Sequence, residues 1–216
     1  MGREFVEIFD EWVHTYDESV EGKDKEYEDV FKHYDGILRA TADLAISPVV
    51  EFGVGTGNLT QKLLERGMHV TGIEPNAAMR EATSQKLPEL PLADGDFLDF
   101  PLTGEVMTFT SSYAFHHLTD AEKAQAFKLY AQKLPAGGKV VFADTLFESS
   151  EIKQQRIEFE ESRAYANLVE DLQREYYTTL PVLRELIEDA GFTVEFTQLN
   201  SYVWLIDATK KSGDGR

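Results

Sequence analysis

Three glycines at alternate positions, Gly53, Gly55 and Gly57, follow directly on the apolar run Val49-Val50-Glu51-Phe52. Glycine has no Cβ and tolerates positive φ, so this loop can turn sharply and bring bare backbone against a ligand. A helix is predicted from about Asn58 to Arg66, and its first N–H groups lack intrahelical partners and face the same place. The stretch therefore reads as a cradle for a nucleoside-bearing cofactor. A dinucleotide fingerprint needs glycine at its first, third and sixth positions, but here the sixth is Asn58 and the third glycine falls at the fifth. Glu51, two residues before the first glycine, would also repel a pyrophosphate. An acid there suits a cationic ligand.

S-Adenosylmethionine meets these conditions: it has no phosphate, carries an α-ammonium and a sulfonium, and fits the crevice at the carboxyl ends of an α/β sheet. A second apolar strand, His69 to Ile73, ends in Glu74, 17 residues after Gly57. An acid so placed can accept hydrogen bonds from both ribose hydroxyls. A third acidic position follows in Ala93-Asp94-Gly95-Asp96-Phe97, after a short strand near Leu90 to Ala93. A fourth strand, Val106 to Thr110, runs into Tyr113-Ala114-Phe115-His116-His117-Leu118. Then comes Leu134-Pro135-Ala136-Gly137-Gly138 before a fifth strand.

These elements, in this order from Val49 to Asp144, resemble the signatures of class I S-adenosylmethionine-dependent methyltransferases. The whole chain, from Gly2-Arg3-Glu4-Phe5 through Tyr16-Asp17-Glu18-Ser19, resembles the YrrT-type methyltransferases of Bacillus-like bacteria. The resemblance implies a seven-stranded, mostly parallel Rossmann-like α/β sheet of order 3-2-1-4-5-7-6, with helices on both faces and helical cap elements. It implies S-adenosylmethionine as cofactor, bound by Glu51, Gly53, Gly55, Gly57 and Glu74. An acid binds the adenine amino group with the next residue flanking the ring; Asp96 with Phe97 fits this role, with Asp94 as the alternative. Tyr16, in a Tyr-Asp step, is expected against the cofactor's methionine end.

The elements that position these residues alternate as a parallel sheet with right-handed crossovers requires. Helical spacing links Phe5, Ile8, Phe9, Trp12, Val13 and Tyr16, and again the stretch Tyr27 to Ala45 before Ser47-Pro48. Helices are expected over Ala77 to Lys86 and Asp120 to Lys133, and one or two amphipathic helices over Glu148 to Tyr177. A helix from Pro181 to Ala190, stopped by Gly191, precedes two β-rich runs, Thr193 to Leu199 and Tyr202 to Thr209, read as an antiparallel hairpin. The reading is one domain: residues 1–47 a helical cap, 48–146 the cofactor-binding half, 147–180 a helical insertion, 181–210 the last helix and hairpin, and 211–216 a tail.

The composition narrows the partners. With 216 residues, 42% of them hydrophobic, the chain suits a single ordinary core. Its 21 basic and 39 acidic residues give a formal charge of −18, which disfavours nucleic acid because phosphate contacts need cations. Cysteine is absent, which excludes disulfides and thiolate chemistry. Without a signal peptide or a run of about 20 apolar residues, a cytoplasmic protein that does not cross a membrane is expected. No metal site is expected, since His14, His33 and His69 show no ligand spacing.

A small-molecule substrate and a monomer or homodimer complete the expectation. Methyl transfer needs mainly positioning, dehydration and, for a protonated nucleophile, a base. His116 and His117, at the crevice mouth, are the candidate catalytic residues, with binding or positioning of substrate as their other role; Tyr113 and Asp144 are expected to line the pocket. The rivals are a non-catalytic protein that binds S-adenosylmethionine or S-adenosylhomocysteine, and a nicotinamide-dependent oxidoreductase that Asn58 weakens.

Overall fold

The computed structural model describes residues 24–212; Tyr16 and the helical pattern from Phe5 to Tyr16 lie outside them. The sheet has seven strands in the order β3-β2-β1-β4-β5-β7-β6. They are β1 (Val49–Phe52), β2 (Val70–Ile73), β3 (Leu92–Ala93), β4 (Thr108–Ser112), β5 (Lys139–Thr145), β6 (Phe192–Gln198) and β7 (Val203–Lys210). The first five run parallel, β7 returns antiparallel to β5, and β6 pairs antiparallel with β7. All four β1 residues are buried, as a strand covered on both faces must be.

The helices are α1 (Tyr34–Leu44), α2 (Asn58–Leu64), α3 (Ala77–Lys86), α4 (Asp120–Lys133), α5 (Ser150–Ser162), α6 (Ala166–Arg174) and α7 (Leu180–Asp189). Their starts follow local chemistry. Asn76 accepts from the Met79 N–H at the head of α3, Thr119 and Glu122 form a reciprocal capping box on α4, and Ser149 caps α5. The helix expected from Tyr27 begins only at Tyr34, because His33 adopts a left-handed φ of 66° and residues 25–30 form turns. The fourth strand lies two residues later than expected at both ends, its register set by pairing Thr108 to Val49 and Ser111 to Phe52.

Strand alternation divides the core. Val140 and Phe142 of β5 join Phe52, Phe109, Phe127 and Tyr130 on the face covered by α4 and α7. Val141 and Ala143 face the other way, toward Ile37 of α1 and Ile157, Leu168 and Leu172 of α5 and α6. The insertion α5–α6 thus packs on the β5–β7 side and returns to the sheet at its carboxyl end. There Phe147 N–H donates to Thr178 O at 3.3 Å, and Leu180 N–H donates to Phe147 O at 2.9 Å. No described helix is long and apolar enough to cross a membrane.

Candidate functional site

The carboxyl ends of β1 and β2 carry the glycine loop. Gly53, Gly55 and Gly57 all have positive φ, 63°, 56° and 83°. A Cβ on Gly53 would lie 2.9 Å from the Ala114 Cβ, so this glycine lets the loop pack against the segment after β4. A Cβ on Gly55 would meet nothing within 4 Å, so the backbone there borders open space. Glu74, at the tip of β2, holds the loop. Its Oε2 accepts the Gly55 N–H at 2.9 Å and its Oε1 the Asn76 N–H at 2.8 Å. From the other side, the Thr83 hydroxyl donates to Gly55 O at 2.5 Å.

Burial holds the Glu74 carboxyl above the usual carboxylate range, and the N–H groups of Gly55 and Asn76 oppose that shift. Each carboxylate oxygen has two lone pairs, so one backbone donor apiece leaves capacity for a ligand's hydroxyls. The backbone bordering open space at Gly55, beside this anchored acid, fits a ribose-bearing cofactor. Glu51 lies deeper, buried, and accepts the Thr60 hydroxyl at 2.6 Å. Burial, reinforced by the charge of Glu74 and opposed by the Thr60 hydrogen bond, pushes it up to about 8.

The two acids after β3 differ in setting. Asp94 is 56% exposed and its Oδ1 lies 3.3 Å from Arg80 Nη1, whereas Asp96 is 8% exposed and accepts the N–H groups of Leu98 and Asp99, both at 2.9 Å. The Phe97 ring, expected beside the adenine, packs into the core, 7% exposed, with ring centroids 5.2 Å from Phe52 and 5.4 Å from Phe115. Turning a benzyl side chain out of that cluster would give up the aromatic contacts that hold the layer together.

The other rim is built on β4 and β5. Tyr113 directly follows β4 with φ 54°, an uncommon backbone for a non-glycine residue. Its ring packs 5.2 Å from Phe31 and 5.5 Å from Tyr34, forming an aromatic wall. Asp144, at the tip of β5, accepts the backbone N–H of His116 at 2.8 Å and meets its Nδ1 at 2.6 Å. His116 Nε2 lies 3.3 Å from Glu175 Oε2, and His117 Nε2 lies 3.9 Å from Glu175 Oε1. Burial pulls His116 down, but the charge and hydrogen bond of Asp144, with the charge of Glu175, outweigh it and hold the imidazole above its usual value. Burial and the neighbouring His116 push His117 well below its usual value.

Glu175 was not among the expected site residues. It follows α6 in a segment crowded with acids, where nothing local distinguishes it; only the Tyr176-Tyr177 pair behind it marks the end of a charged helix. The fold brings it in through backbone contacts: Tyr176 N–H donates to His116 O at 3.1 Å, and the buried Lys123 ammonium donates to Tyr176 O at 2.6 Å and to Leu118 O. The Tyr177 hydroxyl donates to Glu175 Oε2 at 2.6 Å, and its ring stacks 4.9 Å from His116. A cavity of about 640 Å³ lies elsewhere, by the start of β2, lined by Pro48, Met68, His69, Leu87 and Leu90 and by none of the expected site residues.

Residues 49–138 match the family described as a methyltransferase domain. Over 214 residues the chain is 53% identical to an uncharacterized methyltransferase of Geobacillus thermodenitrificans, covering 98% of this chain and 100% of that protein. Among solved structures it is similar to human N-acetylserotonin methyltransferase in complex with S-adenosylmethionine, at a TM-score of 0.64 and 17% identity over 86% of this chain and 53% of that one. It is also similar to magnesium protoporphyrin IX methyltransferase of Synechocystis with the same compound bound, at a TM-score of 0.62 and 16% identity over 86% and 84% of the two chains.

Proposed function

The chain belongs to the class I S-adenosylmethionine-dependent methyltransferases, and on that footing we propose that it methylates a small-molecule acceptor held at the tips of β4 and β5. When bound, the cofactor supplies an electrophilic methyl group. Glu74 accepts the ribose hydroxyls while its backbone partners keep the glycine loop in place. Asp96 and the backbone of Phe97 take the adenine edge, and the buried Glu51 supports the loop from below through Thr60.

On the acceptor side, Phe31, Tyr34 and Tyr113 exclude water, and His116 and His117 position the acceptor. The Asp144 carboxylate fixes the His116 ring by taking its Nδ1–H, which leaves Nε2 as the working atom. A formal charge of −18 supports a small neutral or cationic acceptor over a polyanion.

The observation that carries this reading is the buried Glu74 carboxylate, fastened to Gly55 and Asn76, beside a loop whose middle glycine borders open space. Calorimetric titration with S-adenosylmethionine, S-adenosylhomocysteine and NAD tests it. Binding of the first two and not the third, followed by S-adenosylhomocysteine release in a screen of small metabolites, is the expected result. Selective NAD binding, or cofactor binding with no turnover on any small acceptor, would overturn it.

A further inference from the structure

We propose that His116, His117 and Glu175 form a binding site for a divalent first-row transition metal at the tips of β4 and β5. One ligating atom from each of the three residues lies within 4.8 Å of the others. A tetrahedral ion with bonds of about 2.0–2.2 Å holds its ligands about 3.4 Å apart. The Nε2–Oε distances of 3.3 and 3.9 Å are already close to that spacing, so side-chain shifts of about an ångström would complete the set.

The surroundings orient these atoms as a metal site requires. Asp144 takes the Nδ1 side of His116 at 2.6 Å, which turns Nε2 toward Glu175, and the Tyr177 hydroxyl steadies Glu175 at 2.6 Å. A carboxylate behind a ligating imidazole and a hydrogen bond to a ligating carboxylate are the outer partners such sites use. The charge also fits. Asp144 and Glu175 are carboxylates only 2% and 11% exposed, Arg174 Nη2 lies 4.0 Å from Glu175 Oε1, and the Lys123 ammonium donates to the carbonyls of Leu118 and Tyr176. A divalent cation balances both acids without requiring a proton on a buried imidazole.

Two imidazoles and one carboxylate favour zinc, cobalt, nickel or iron over magnesium and calcium, which prefer oxygen ligands. His116 and His117 keep 11% and 12% of their side-chain surface exposed. Three protein ligands leave a further position for water or for a donor atom of the acceptor. The proposal goes beyond the methyl-transfer reading and stands without it.

Tag-free, chelator-stripped protein titrated with Co2+ under visible absorption, then with Zn2+, tests the site. One equivalent of Co2+ with a ligand-field band, displaced by Zn2+ and not by Mg2+, is expected. Glu175→Gln and His117→Ala should each weaken Co2+ binding at least 10-fold, while Glu170→Gln, at an exposed position of α6, should not change it. Circular dichroism monitors folding, and if His117→Ala does not fold, the wild-type band and Glu175→Gln decide. No stoichiometric band, or equal binding in Glu175→Gln, overturns the site. S-Adenosylmethionine titrated into the stripped protein separates the two readings: cofactor binding without metal binding sinks the metal site alone, and metal binding without cofactor binding supports the site while sinking the cofactor reading.

Discussion

Along the β1–β2 rim, the hydrogen bonds that Glu74 and Asp96 accept from Gly55, Asn76, Leu98 and Asp99 are local in sequence, and their donors are backbone N–H groups. The β4–β5 rim instead joins residues far apart in sequence, Phe31 and Tyr34 with Tyr113, His116, Asp144 and Glu175, through ring contacts and carboxylate side chains together with the Tyr176–His116 backbone bond. The Tyr27 hydroxyl there donates to Asp171, 144 positions away. A backbone donor is the same whatever residue carries it, so the first rim constrains only its glycines and a few acids. The second depends on side-chain identity at scattered positions.

Gly53 is where the two rims touch, and Gly53→Val should have the largest effect. Its positive φ and the 2.9 Å approach to Ala114 should make the substitution cost roughly 3–5 kcal/mol, read by denaturant unfolding, and should weaken cofactor binding with it. Near-native stability would show the rims to be independent. Glu51 comes next. Its folded pKa, about 8, exceeds the ordinary carboxyl value, so between about pH 5 and pH 8 the unfolded chain ionises there while the folded chain does not. Stability should fall across that window by about 1 kcal/mol per pH unit, and Glu51→Gln should flatten the fall. An unchanged slope would remove the ionisation from that site.

Glu74→Ala should weaken S-adenosylmethionine binding by roughly 1–3 kcal/mol, the range for losing hydrogen bonds to a charged group, and leave Co2+ binding at the other rim untouched. Phe97→Leu should cost about 1 kcal/mol of stability with cofactor affinity unchanged; a loss of affinity in a stable variant would return the ring to the ligand. Tyr27→Phe, the smallest effect, should cost under about 1 kcal/mol and raise proteolytic nicking in the insertion, with cofactor binding intact.

The same contrast sets what was legible in the sequence. Ala77–Lys86 and Asp120–Lys133 were predicted to the residue, because each start has a capping side chain and each stop a local break. The strand–helix alternation implies a parallel sheet, and the strand order that the family resemblance implies is the one observed. The spacing from Gly57 singles out Glu74, and the structure puts that acid on the Gly55 N–H, a neighbour near in sequence. The burial of the Phe97 ring is not legible in the sequence, because a residue beside a polar site gives no sign of which way it turns. Glu175 was missed because only the folding of the insertion against β4 selects it from the acids around it.

The hydrogen bonds between Phe147 and residues 178–180 also bear on how such a rim can diversify. They bring the two ends of the α5–α6 insertion together at one point of the sheet, so the intervening chain is a closed loop of its own. Lengthening such a loop costs entropy only logarithmically and leaves the strands beneath it undisturbed. The insertion is in this sense an exchangeable cassette, and because Glu175 rides at its far end, any replacement also changes the carboxylate beside His116.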